Sequence, residues 1–79
     1  MKAKLISKDP SLSLIFRLGG IDSVRVESSE ESDKEFTKAI EDPNLGLLIL
    51  TRDIYGNITK EVDQYRAKTS KPLIVVIDG

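Results

Sequence analysis

Histidine and cysteine are both absent from this chain of 79 residues, and the two absences remove a great deal of chemistry together. Without cysteine there is no disulfide framework, and the redox compartment stays open. Without either residue most zinc and copper sites, Cys and His nucleophiles, and the commonest general base are excluded. Neither sign of charge is in excess, with 12 Lys+Arg against 13 Asp+Glu. That balance provides no basic field for nucleic acid and no polybasic membrane anchor. Two tyrosines, Tyr55 and Tyr65, are too few for a base-stacking platform. No apolar run approaches the ~20 residues needed to cross a bilayer, and Met1 to Ile6 lacks the apolar core of a signal peptide. The expectation is one soluble, cytoplasmic domain over residues 1–79. Its core is modest, because a chain of this size buries only ~60% of its unfolded surface.

What is present is organised around Gly46-Leu47-Leu48-Ile49-Leu50-Thr51, a short uninterrupted apolar run after Pro43-Asn44. A half-buried strand would alternate, so a continuous run fits a strand covered on both faces, as in a parallel sheet. Pro72 to Ile77 has the same character and is rich in β-branched residues. Lys4 to Ser7 reads as a first strand. Asp9 then suits a helix N-cap and Pro10 the first helical position. Leu12, Ile15 and the buried Phe16, widened by Leu14 and Leu18, form the apolar stripe of a helix over 10–18, which Gly19-Gly20 ends. Ile21 to Val26 is a weaker strand interrupted by Asp22, Ser23 and Arg25, as expected at a sheet edge. Ser28-x-x-Glu31 matches a capping box. The helix it opens presents Phe36, Ala39 and Ile40 and stops near Glu41, before Pro43. Ile58, Val62 and Tyr65 mark a further helix over about 57–68. Ile54 shares its face, and Gly56 favours a break or an irregular first turn.

The order β-α-β-α-β-α-β predicts an α/β fold. It is a four-stranded parallel sheet with right-handed crossovers and strand order 2-1-3-4, in three αβα layers. The topology is a shortened doubly wound, receiver-like one. Ligands of such sheets bind beyond the carboxyl ends of the strands. The residues there are Ser7-Lys8-Asp9, Glu27-Ser28, Thr51-Arg52-Asp53 and Asp78-Gly79. A dinucleotide site needs G-x-G-x-x-G after the first strand, and this turn has no glycine. A phosphoryl-accepting receiver needs an acid pair after strand one, an Asp ending strand three and a Lys after strand five. Here Asp9 stands alone, Thr51 occupies the acceptor position, and no fifth strand exists. Asp9 and Asp53 are read as helix-capping residues. The acids Glu27, Glu30, Glu31, Asp33 and Glu35 are read as a solvated helix start rather than a cation site. No catalytic residue, metal ligand or cofactor site is expected.

Phe16-Arg17-Leu18-Gly19-Gly20-Ile21 resembles the Phe-Arg-Leu-Ala-Gly-type segment of the F subunit of V-type (A/V-type) ATPases and ATP synthases. Glu30-Glu31, the Gly46–Thr51 strand and the Pro72–Ile77 strand agree with that family in order and spacing. The resemblance implies a non-catalytic subunit of the central rotor stalk. It implies binding to the coiled-coil D subunit, peripheral to the membrane on its cytoplasmic side, coupling ATP hydrolysis or synthesis to ion transport. Family members are about a quarter longer and end in a mobile C-terminal helical segment, so the chain matches their N-terminal α/β domain. The candidate partner contacts are Arg17, Gly19, Gly20 and Ile21, of which the two glycines serve first as a helix stop. The alternative is a degenerate receiver-like signalling domain without an acceptor site.

Geometry points to binding independently. Order 2-1-3-4 puts the first helix on one face and the others opposite. A helix is ~10 Å across and neighbouring strands lie ~4.8 Å apart, so one helix covers about two strands. One face of strands three and four is therefore expected to be thinly covered, as a docking site for a partner helix, for a C-terminal segment, or for a second copy in a homodimer.

Overall fold

A computed structural model describes residues 2–78; Met1 and Gly79, the latter expected just past the last strand, lie outside the described residues. The elements are β1 (Lys2–Ser7), α1 (Pro10–Leu18), β2 (Asp22–Arg25), α2 (Ser29–Ile40), β3 (Leu45–Thr51), α3 (Arg52–Asn57), α4 (Thr59–Lys68) and β4 (Leu73–Ile77). All three strand pairs are parallel and the order is β2-β1-β3-β4, as the alternation predicts.

The first helix begins as the sequence dictates. The Asp9 carboxylate accepts the Ser11 and Leu12 N–H groups, with Pro10 next in line. It ends in a Schellman-type turn, where Ile21 N–H reaches the Phe16 carbonyl at 2.9 Å and Gly20 N–H reaches that of Arg17 at 3.0 Å. Gly20 takes φ 87°, which an L side chain adopts only with strain. At the start of α2, Ser28 Oγ accepts the Glu31 N–H. The Glu31 carboxylate reaches back one residue further than a capping box requires, to the Glu27 N–H.

Two expectations need correction and one is refined. The apolar stripe of α1 does not face the sheet as a whole. Leu12 and Phe16 are half-buried and Ser13 is buried, whereas Leu14, Ile15 and Leu18 are exposed. A small residue at the contact lets the helix settle close to β1 and β2, and such a contact is narrower than the stripe. The helix expected over about 57–68 is α4, and the break that Gly56 favours falls at Ile58 (φ −132°, ψ 30°), with the short helix α3 before it. Gly56 and Asn57 are poor helix formers, and the bend lets Ile54, Ile58 and Val62 all reach the core. Asp53 does not cap α3. Thr51 holds the cap position, and Asp53 in the first turn accepts the Thr51 hydroxyl and the Ile54 N–H.

The main core lies on the face covered by α2, α3 and α4. There Ile6, Leu48, Leu50 and Ile74 of the sheet pack against Phe36, Ala39, Ile54, Ile58 and Val62. Tyr65 is half-buried at its margin, edge-on to Phe36 at 6.1 Å between ring centroids. β1 starts earlier than its apolar residues suggest. Lys4 is half-buried with its ammonium 3.7 Å from the Glu35 carboxylate of α2, and Lys2 pairs with Asp42 at 2.8 Å.

Candidate functional site

At the carboxyl ends of the strands the polar groups are turned onto their own backbone. Ser7 Oγ accepts the Asp9 N–H at 2.9 Å, and Arg25 Nε donates to the Lys8 carbonyl. Arg52 and Asp78 form an exposed pair at 2.6 Å, whose hydrogen bond raises the Arg52 pKa above its ordinary value. The Thr51 hydroxyl is held by Asp53. These side chains are committed to ending strands and starting helices, and they do not converge on a common point where a substrate could sit. Among the described residues no group of three or more acidic side chains is placed to hold a metal ion. A shallow groove of about 260 Å³ runs between α2 and α4, floored by Phe36, Ile40 and Tyr65 and edged by Asp33, Glu61 and Lys68. Of its hydroxyls, Thr37 Oγ1 donates to the Asp33 main-chain carbonyl and the Tyr65 hydroxyl to that of Lys71, so neither is paired with a carboxylate.

The opposite face of the sheet differs in kind. One row of paired residues crosses it from edge to edge: Ser23, Leu5, Ile49, Val75. Relative exposure along that row runs 3%, 0%, 8% and 37%. Cover is complete under α1 and is lost at β4. Leu73, in the neighbouring row beside Leu47, is 61% exposed, whereas Ile74 between Leu73 and Val75 is 6% exposed because it points to the other face. Among the described residues the large exposed apolar side chains are Leu14, Ile15, Leu18, Leu73 and Val75, all from α1 and β4.

Hydrogen bonds orient α1 over this face. Arg17 Nη2 donates to the Ser23 carbonyl at 3.2 Å, and Ser23 Oγ donates to the Ser13 carbonyl at 2.8 Å. The Ser13–Arg17 flank thus lies over β2. The opposite flank, which carries Leu12 and Ile15, is turned toward the β3 side by helical geometry. The result is an apolar shelf along β4, formed by Leu73, Val75 and half-buried Ile77 with half-buried Leu47 beside it, whereas Ile49 in the next strand is already covered. Arg17, Gly19, Gly20 and Ile21 stand together at the lower end of α1. Their visible work is to end that helix and tie it to β2. Residues of the shelf itself, Leu73 and Val75 above all, carry no motif. Their signal in the sequence is a final strand without a polar position. For α1 the signal is an apolar stripe wider than one helix can bury on two strands.

With this geometry in hand, a family model of the ATP synthase (F/14-kDa) subunit matches residues 5–79. The chain belongs to that family. Among solved structures, the crystal structure of the F subunit of the V-type ATP synthase from Archaeoglobus fulgidus is similar with a TM-score of 0.77. It is 22% identical, and the match covers 96% of this chain and 95% of that one, so this family fold extends over nearly the whole of both. Among curated protein sequences nothing matches. The described helices of this family member include none long and apolar enough to cross a membrane.

Proposed function

We propose that the chain is the F subunit of a V-type rotary ATPase or ATP synthase, a non-catalytic part of the central stalk on the cytoplasmic side of the membrane. In this role it transmits force between ATP turnover and ion transport by gripping another rotor subunit. The observation that carries the reading is the exposed apolar face of β4, with Leu73 61% and Val75 37% exposed. Exposed apolar surface of this extent on a small domain marks a docking site. This strip, with half-buried Leu47 beside it, offers apolar anchors to one α-helix. Its occupant in this reading is a helix of the coiled-coil D subunit, laid beside α1 with apolar residues at i, i+3, i+4 and i+7. Arg17, Gly19, Gly20 and Ile21, at the lower end of α1, sit at the margin of the contact.

Co-expression with the D subunit of the same complex tests the assignment. A one-to-one complex on gel filtration is expected. The double substitution Leu73→Glu, Val75→Lys removes it and leaves the unfolding midpoint of the free subunit nearly unchanged. Failure of the unsubstituted pair to co-elute, or retention of the complex by the double variant, would overturn the reading.

A further inference from the structure

The outer edge of β4 is open, and the direction of its backbone groups follows from two hydrogen bonds elsewhere. Val26 N–H donates to the Ser7 carbonyl and Lys2 N–H to the Asn44 carbonyl. These bonds turn the odd-numbered positions of β1 toward β2 and the even-numbered ones toward β3. Backbone groups alternate sides along a strand, so the register carries the pattern across the sheet. Positions 48 and 50 of β3 face β4, and Leu73, Val75 and Ile77 of β4 answer them. Ile74 and Val76 therefore point their N–H and C=O groups outward. Just before them Pro72, also at an outward position, has no N–H to offer.

One outward acceptor is occupied. Arg66, in the last turn of α4, reaches across and donates Nη2 to the Ile74 carbonyl at 2.5 Å. The strand it touches is LIVVI, uncharged and largely β-branched, the composition most prone to pair with another edge. We propose that Arg66 is a plug on this edge, which keeps two copies of the chain from joining their sheets.

The edge fits a second copy because it is self-complementary. A two-fold axis through Val75 sets Ile74 of each copy against Val76 of the other, and Leu73 against Ile77. Four hydrogen bonds form within the strand, and two of them end on Ile74 carbonyls. Every antiparallel register that includes Ile74 uses the carbonyl that Arg66 holds, and although that oxygen has a second lone pair, the guanidinium bound to it stands on the outward side where the second strand would lie. Across this axis the facing side chains on the shelf side, Leu73, Val75 and Ile77, are apolar, and no like charges oppose each other. A charge-assisted bond of this kind contributes about 1.5–3 kcal/mol, so its presence on both copies shifts association by well over tenfold. Nothing at this edge depends on the D subunit.

The absence of cysteine makes a direct test possible. Val75 would face Val75 of the second copy as a non-hydrogen-bonded pair, with Cα atoms about 4.5 Å apart, inside the range a disulfide spans. Two series are measured: Arg66→Ala and Arg66→Met by sedimentation velocity, and Val75→Cys with and without Arg66→Met by non-reducing gel after mild oxidation. Met keeps most of the side-chain stem and lacks the N–H donors, and circular dichroism confirms the fold of each variant. The expectation is a monomer with Arg66 intact and a discrete dimer in both Arg66 variants. Cross-linking through the thiol introduced by Val75→Cys should run at least about tenfold faster once Arg66 is gone. Arg66→Met remaining monomeric, cross-linking indifferent to residue 66, or assemblies larger than a dimer would each overturn the proposal.

Discussion

Ser13 is the residue at which sequence and packing disagree most. It is buried between α1 and the sheet, and its hydroxyl has no hydrogen-bond partner in the protein. An unpaired buried hydroxyl costs on the order of 1–3 kcal/mol, and alanine is also the better helix former. Ser13→Ala should therefore raise stability by roughly 1–2 kcal/mol in urea denaturation; a loss of stability would show that the hydroxyl is satisfied. Gly20 makes the reverse case. A Cβ there would meet nothing within 4 Å, so space is not at issue, but φ is 87°. Gly20→Ala should cost about 1–2 kcal/mol through backbone strain alone, read from the same denaturation curves. A smaller cost would mean that the turn relaxes to negative φ.

Among the elements, β1 is bound to the loop before β3 by an ion pair whose pH dependence can be measured. The hydrogen bond from Lys2, then that from the Asn44 N–H, hold the Asp42 carboxyl below its ordinary pKa of 3.8. A depressed folded-state value stabilises the protein above the unfolded value, and the contribution disappears as pH falls through the folded one. Asp42→Asn should thus be less stable than the parent at pH 7. The difference should shrink as pH falls below 3.8 and vanish only once the folded carboxyl, with its lower pKa, is protonated as well. A difference that persists in acid would assign the effect to the Asn44 turn rather than to charge.

Elements also divide what could be read in advance from what could not. The parallel order 2-1-3-4 was legible because two uninterrupted apolar runs admit few other arrangements, and because polar residues in β2 mark an edge. The beginning of β1 was not legible, since Lys2 and Lys4 conceal pairing behind charged tips whose partners, Asp42 and Glu35, lie far along the chain. The break at Ile58 was half legible. Gly56 signals weakness, but only the core decides where Ile58 must turn. The exposed face of β4 was foreseen from the widths of helices and strands, but thin cover over β3 was wrongly expected, since Ile49 is 8% exposed; the outward turn of Ile15 was not foreseen, because periodicity gives a stripe and not the direction it faces. Arg66 left no trace beyond a basic residue in a last helical turn, since its target is a main-chain carbonyl eight residues on.

At the scale of the whole molecule, the two faces of the sheet differ in what holds them. Leu48 is fully buried in the three-helix core, while Leu73, one strand over, is 61% exposed. Leu48→Ala should cost about 2–5 kcal/mol, enough to unfold much of a domain this small, whereas Leu73→Ala should cost under about 1 kcal/mol. Thermal melts of the two variants check this contrast. Near-equal losses would mean that the shelf is covered in solution.

The row from Ser23 to Val75 has a further consequence for supply. Under the proposed function, a fold completed on one side by its neighbour in the assembly gains stability as the concentration of that neighbour rises. Molecules made in excess stay at the lower stability of the lone domain and open more often, starting with the thinly covered fourth strand. Proteolysis of open forms then removes the surplus first. In such a system the stoichiometry of the machine is kept by the incompleteness of its parts.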